Sequence, residues 1–477
     1  MPPSSLAGEP SRSVSAAARL RGEPRLPGDK SISHRALILA ALAEGDCLIS
    51  GAGDGLDVRA TAGVVAALGA GVERVREDGP NVDYRVVSPG ADGLHEPEGA
   101  LDCRNSGTSL RLCAGMLASL PFFSVLDGDA SLRSRPVARI IEPLRSMGAV
   151  LYARRSDTLP PLVVIGRHGL HAIDFTTRVP RAQVKSAILL AGLRADGRTT
   201  VREAVATRDH TERMLRSRGI EVRREPATRS GGAQVTWTLD GGARLRQVDE
   251  RVPADPSAAA FWLVAGAIHP DAELTLRAVG VNPTRRAAID LLRRMGARIE
   301  ETALGETPGT AGVAGAGPAG AERASDEGAS GAGEVGEPLA DLTVRSSELT
   351  AIDVGPDEVA AAIDEIPILC LAATQARGRT TIRGAGELRN KESDRIAGIA
   401  DGLTALGAQI AVEGDDITIE GPSHLAGSAT RTLDDHRLAM TFAVAGLIAS
   451  GSTSIDQAES AAVSYPGFFT ELERLRA

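Results

Sequence analysis

At 477 residues, with 43 % hydrophobic and 24 % charged positions, the chain is globular and too long for one ordinary core, so two or more domains are expected. Its net charge of −9 argues against nucleic acid as the main partner, but it leaves anionic small molecules open, because these meet only the local field. The longest apolar runs, such as 258–268, are far too short to span a bilayer, so no membrane partner is expected. Four cysteines (Cys47, Cys103, Cys113, Cys370) sit in or beside apolar stretches without paired metal-ligand spacing, and read as reduced, mostly buried thiols of a cytoplasmic protein.

Residues 1–22, rich in Ser, Ala, Arg and Pro, lack the apolar core of a secretory signal and read as a disordered extension. The stretch 26–45, LPGDKSISHRALILAALAEG, is a turn followed by an apolar helix, with Ser31 or Ser33 as the cap and Gly45 as the stop. Free backbone N–H groups and the positive dipole end, joined by Lys30, Ser31 and Arg35, make this helix start a site for an anion such as phosphate. GAGDG (51–55) is a poor match to a dinucleotide-binding glycine fingerprint and reads as a turn. Of 53 Lys plus Arg only Lys30, Lys185 and Lys391 are lysines, and all three fall near polar helix starts. In so arginine-biased a chain, a retained lysine marks a position where a compact ammonium that can hold or pass a proton matters.

Helices of this kind recur. Polar-started apolar helices begin near 31, 106, 183, 255, 364 and 434, at intervals of 75, 77, 72, 109 and 70 residues. The long interval contains 301–340, a Gly/Ala/Glu-rich tract that cannot build a core; removing about 37 residues restores the period. A second helix with a charged face follows each first one, starting near 57, 137, 210, 284, 393 and 465, with strand-like runs such as 198–205 and 379–386 between. The unit is therefore helix, strand, helix, strand, six times over. Each first helix is apolar nearly all round and belongs inside; each second helix belongs outside. Two α/β domains of three units follow, with the tract at 301–340 a solvated surface loop.

In such an arrangement the polar helix starts converge on one cleft. One domain offers Lys30, Ser31, Arg35, Asn105, Gly107, Thr108, Arg111, Arg135, Arg181, Gln183, Lys185 and Arg208. The other offers Asp364 and Glu365, then KESDR (391–395) and DDHR (434–437). This is a dense cation set in an acidic protein, with a few embedded carboxylates.

The runs LPGDKSISHRALILAALAEG, NSGTSLRL, SLRSRPVARI, AQVKSAILLAG, RDHTE, NPTRR, IDEIPIL, KESDR and DHRLAM, in order from about 20 to 475, resemble the 3-phosphoshikimate 1-carboxyvinyltransferase family. The resemblance implies a two-domain inside-out α/β barrel of six units that closes on substrate. Residues 28–248 would form one domain, and 1–27 with 249–477 the other. It implies transfer of the enolpyruvyl group of phosphoenolpyruvate to the 5-hydroxyl of shikimate 3-phosphate, by a monomer that uses no metal or other cofactor. Carried over residue by residue, Lys30, Ser31, Arg35, Arg181, Ala182, Gln183, Arg208, Asp364 and Lys391 would hold shikimate 3-phosphate. Lys30, Gly107, Arg135, Gln183, Arg395 and Arg437 would hold phosphoenolpyruvate, with Asp364, Glu392 and Lys30 doing the acid–base work.

The chain departs from the family pattern at Arg181, where members usually carry serine, so a guanidinium replaces a hydroxyl near the substrate phosphate. RDHTE, NPTRR and the lysine-free VSYPGFF (463–469) place it nearer the second bacterial class, often glyphosate-tolerant, whereas Gly107 is the residue of sensitive members. The sister enzymes that act on UDP-N-acetylglucosamine usually begin the site with Lys-Asn and carry a reactive loop cysteine. Here Lys30-Ser31 stands instead, and Cys103 and Cys113 lie in or beside a helical run.

Overall fold

The computed structural model describes residues 11–177, 181–229, 232–307 and 335–476. All six inner helices are present: Lys30–Leu42, Gly107–Ala118, Ala182–Gly192, Pro256–Ile268, Ile366–Thr374 and His436–Gly446. Nearly every residue in them is buried, as their unbroken apolar composition requires. The six outer helices, Leu56–Ala67, Ala138–Ser146, His210–Ser217, Ala287–Arg294, Arg395–Ala405 and Phe468–Leu475, each follow one of them. No helix among the described residues is long and apolar enough to cross a membrane.

Carboxylates, more than hydroxyls, start the inner helices. Asp29, not Ser31 or Ser33, caps the first, its Oδ1 accepting from the Ile32 N–H at 3.0 Å. Asp255 and Asp435 cap two others in the same way, and Ser106 caps a fourth. The first helix does not stop at a glycine either. It ends at Leu42 and passes directly into the strand Glu44–Gly53, in which Gly45 takes φ +127°.

The sheets repeat with the helices. In the second unit Leu101–Asp102 runs parallel to Phe123–Asp127, which pairs antiparallel with Leu159–Ile165, itself antiparallel to Val150–Ala153. Four more sheets have this order, one for each of units one, three, four and five. The sixth is reduced to three strands. The sheets are separate ladders outside the inner helices, not one closed barrel.

Three of these sheets are completed from far away in the chain. Glu250–Arg251 supplies the parallel edge of the first-unit sheet, beside Ile49–Ser50. Leu20–Gly22 supplies that of the fourth, beside Ala272–Leu274, and Arg12–Ser15 pairs with Ser452–Ile455 in the sixth. Residues 11–22 are therefore structural, contrary to the disordered extension expected; residues 1–10 lie outside the described residues. Two hydrophobic cores result. One runs from Ile32 to Val252, and the other joins Val14, Leu20 and Leu26 to residues between Ala258 and Leu475.

The expected surface loop at 301–340 is shorter than its composition suggests. Arg298–Glu306 and Pro338–Arg345 form an antiparallel hairpin, and at its mouth the Thr307 N–H donates to the Glu337 carbonyl while the Glu337 N–H donates to Thr307 Oγ1; residues 308–334 lie outside the described residues. Deleting 304–338 would remove ladder residues and the buried Glu337. Deleting 308–334 keeps both and leaves Val335–Gly336 as a two-residue turn. The shorter deletion is expected to keep activity within about twofold and the melting temperature within about 2 °C. A larger loss in an activity assay or thermal melt would give the tract a structural role.

Candidate active site

A pocket of about 130 Å³ lies where the two cores meet and opens into a more apolar lobe of about 330 Å³. All the residues assigned by resemblance line it. Lys30, Ser31, Arg35, Gly107, Arg135, Arg181, Ala182, Gln183 and Arg208 come from the first body. Asp364, Lys391, Glu392, Arg395 and Arg437 come from the second. Most sit at or just before the start of an inner helix, so helix dipoles add to the positive field.

Asp364 is the centre of charge. Its Oδ1 accepts from Lys391 Nζ at 3.0 Å and its Oδ2 from Arg208 Nη2 at 2.7 Å, so the second contact spans the two bodies. Burial alone raises this carboxyl, but Lys391, Arg208, Arg437 and Arg395 outweigh it and hold it well below the usual carboxylate range. Glu392 behaves alike. Burial raises it, and Arg395, Arg135, His436 and Lys30 overcome that and hold it low. Its Oε2 meets Arg395 Nη2 at 2.5 Å and its Oε1 meets Arg135 Nη1 at 3.4 Å. Burial lowers the Lys391 ammonium from its ordinary value, with Asp364 opposing the shift. His436, also in the pocket, is kept well below its usual range, first by burial and then by Lys30.

Lys30 Nζ donates to Asp57 at 3.0 Å. Arg208 Nη1 reaches Ser31 Oγ at 3.3 Å. Arg35 uses three of its donors internally, on Thr211 Oγ1 at 2.7 Å, Ser31 O at 2.8 Å and Ser186 Oγ at 2.9 Å, so it also shapes the Ser31 backbone. Gln183 donates to Thr108 and accepts from Arg111. A side chain at Gly107 would have to displace the Arg111 guanidinium: a Cβ there would lie 2.4 Å from Arg111 Nη1 and 3.6 Å from Arg135 Nη1. Arg135 and Arg437 each keep a buried Nε with no protein partner among the described residues, donors that suit an anionic ligand. Arg181 pairs with Glu387 of the second body while lining both lobes, and burial lowers its guanidinium to about 10.

Two expectations about the cleft are corrected. Lys185 does not face the pocket. It is fully buried between Glu203 and Glu212, at 2.9 Å from each, over the ring of Trp237. Glu365 does not line the pocket; it contacts Ser257 and Arg285, which do. Lys391 also differs from the expected helix start, following the short turn Gly386–Asn390 four residues before the helix begins. Asp57, Asp255, Ser257, Arg285 and His436 line the pocket without having been assigned a role. Arg285 stood in the quoted NPTRR run and His436 in DHRLAM; Asp57 had only its place in the first turn of an outer helix as a signal.

The EPSP synthase (3-phosphoshikimate 1-carboxyvinyltransferase) family model matches residues 14–472. The chain is 48 % identical to a 3-phosphoshikimate 1-carboxyvinyltransferase from Gloeobacter violaceus, over 97 % of this chain and 98 % of that one. It is 46 % identical to the enzyme of that name from Halorhodospira halophila, over 97 % and 95 %. An EPSP synthase structure from Acinetobacter baumannii superposes with a TM-score of 0.79 at 38 % identity, covering 97 % of each chain. The enolpyruvyl transferase NikO from Streptomyces tendae shares the fold, with a TM-score of 0.73 at 20 % identity over 98 % of each chain. With this coverage joined to the six-unit fold and the cleft between its two cores, the chain belongs to the EPSP synthase family of carboxyvinyltransferases.

Proposed function

We propose that the pocket transfers the enolpyruvyl group of phosphoenolpyruvate to the 5-hydroxyl of shikimate 3-phosphate and releases inorganic phosphate. One observation carries the reading: two bodies of a single chain place a ring of cations around Asp364 and Glu392 in one pocket. Ser31, Arg208, Gln183 and Lys391 are the proposed holders of shikimate 3-phosphate, with Arg35 and Ala182 shaping their backbone. Lys30, Arg135, Arg395, Arg437 and Gln183 hold phosphoenolpyruvate, whose close approach Gly107 permits.

The addition step forms a bond from the 5-oxygen to the enol carbon. It needs that hydroxyl's proton removed and a proton delivered to the methylene carbon; elimination then removes a methyl proton and expels phosphate. Asp364 is the proposed base at the hydroxyl and Glu392 the partner at the methylene carbon, with Lys30 assisting. Both carboxylates are ionised in the free site because cations surround them. The substrate anions, shikimate 3-phosphate on Arg208 and phosphoenolpyruvate on Arg135 and Arg395, draw on the same cations, so that their joint binding adds negative charge beside both carboxylates. That charge therefore raises both carboxyls towards values at which they exchange protons readily.

Arg181 serves in this reading as a tie across the cleft mouth through Glu387, and does not act as a phosphate ligand. Residues 28–248 act as one domain against 1–27 with 249–477, and the enzyme works as a cytoplasmic monomer. Its site is completed within one chain, and its four thiols are buried and unpaired.

Phosphate release with phosphoenolpyruvate, offering shikimate 3-phosphate and UDP-N-acetylglucosamine separately, tests the reading. Release with shikimate 3-phosphate alone is expected. Release with the nucleotide sugar alone would keep the fold and overturn the substrate.

A further inference from the structure

Arg208 sits at the end of an irregular stretch, immediately before the outer helix His210–Ser217. Such a segment has no ladder of its own to fix it, yet its guanidinium must meet Ser31 and Asp364 from different bodies. Two buried polar clusters flank it. On its own body, Lys185 donates to the Thr207 carbonyl at 3.4 Å, and the Thr207 hydroxyl bonds to Glu203. On the far side the partners come from the second body. Asn282 Nδ2 bridges Asp209 Oδ1 at 2.7 Å and Glu337 Oε2 at 2.9 Å. Glu337 Oε1 meets His210 Nδ1 at 2.7 Å, and Arg213 Nη1 donates to Gly336 O at 2.7 Å.

His210 and Asn282 are each 1 % exposed and Glu337 4 %. A polar cluster this buried holds its members to one geometry, because any shift leaves a donor or acceptor unpaired away from water. Glu337 is itself pinned, since its backbone exchanges hydrogen bonds with Thr307 across the hairpin mouth.

We propose that Glu337 and Asn282 are positioning residues for shikimate 3-phosphate binding: they clamp the Asp209–His210 turn to the second body and so hold Arg208 at the acceptor site. The inference rests on the reading above that Arg208 binds this substrate.

The test compares full-length Glu337→Gln, Asn282→Ala and Arg208→Ala enzymes, and the Glu337→Gln/Arg208→Ala double variant, by steady-state kinetics and thermal melts. Glu337→Gln is expected to raise the KM for shikimate 3-phosphate about tenfold, with kcat and the KM for phosphoenolpyruvate within about twofold. The double variant is expected to be no worse than Arg208→Ala, because the clamp acts through that side chain. Should Glu337→Gln fail to fold, Asn282→Ala carries the same expectation. An equal loss for both substrates together with a lowered melting temperature would mark the cluster as merely structural and overturn the proposal. So would multiplying effects in the double variant, or an unchanged KM in Glu337→Gln beside a raised one in Arg208→Ala. An unchanged KM in Arg208→Ala itself would remove both this proposal and the assignment of Arg208.

Discussion

Turnover of the Asp364→Ala enzyme is expected to fall by more than ~10²-fold, the usual scale for loss of a general base. Shikimate 3-phosphate should bind it at least as tightly as it binds the parent. The two effects come from one arrangement. Asp364 holds Lys391 at 3.0 Å and Arg208 at 2.7 Å, with Arg395 at 3.7 Å. Removing the carboxylate leaves these cations without their shared counter-charge, which favours an incoming dianion but leaves nothing to take the hydroxyl proton. Asp364→Asn, which keeps the shape, should lose as much turnover. Calorimetric titration and single-turnover rates separate the two effects, and near-normal turnover in either variant would take the base role from Asp364. The sign of the shift also bears on pH. A carboxyl held well below its usual range stays charged until the pH falls through that low value, so stability from this pair is present above about pH 4 and is lost only below it. An acid limb of activity near neutral pH therefore belongs to some group other than the free-enzyme forms of Asp364 and Glu392.

Arg395→Ala should abolish useful phosphoenolpyruvate binding and also destabilise the fold, by about 3–5 kcal/mol. That corresponds to roughly 10 °C in melting temperature for a domain of this size. Its guanidinium is almost fully buried and joins Glu392 at 2.5 Å to Asp435 at 2.8 Å. Burial disfavours the cation, but Asp435, Glu392 and Asp364 more than compensate and keep it protonated. Asp435 in turn caps the helix that begins at His436, accepting from the Arg437 N–H at 2.8 Å. Truncating Arg395 thus strands a buried carboxylate at a helix start that also places Arg437. Arg395→Lys should recover only part of the loss, since one ammonium does not reproduce the planar fork between two carboxylates. A thermal melt within about 2 °C of the parent would show that these carboxylates find other partners.

The parts legible in the sequence are those with short-range causes. Inner helices announce themselves through unbroken apolar runs with polar starts, and the period near 72 residues exposes the six units even through the low-complexity tract. The pocket was legible because its residues cluster at those starts. What stayed hidden depends on partners remote in the chain. Lys185 looks like a helix-start cation until Glu203 and Glu212, on a strand and another helix, are seen to enclose it. Asp57 is one acidic residue in a first turn until Lys30 meets it. Residues 12–22 have the composition of a loose tail, yet they make regular ladders because the fourth and sixth sheets offer them an edge. Arg181 reads as a phosphate ligand by position, and only the fold brings Glu387 to it.

The pairing of strands far apart in the chain also governs the order in which it can be assembled as it is made. Leu20–Gly22 leaves the ribosome early, but its partner Ala272–Leu274 follows roughly 250 residues later, a wait of about 10–50 s at ordinary synthesis rates. The body made first is finished only when Glu250–Arg251 reaches its sheet. During that interval the earliest segment emerges first and docks late, so the nascent second body is exposed to chaperones or mispairing until its opening strands return. Cutting the chain between Leu26 and Lys30 would separate those strands from the body they complete: the long fragment would keep the core from Ile32 to Val252 whole but lose Val14, Leu20 and Leu26 from the other.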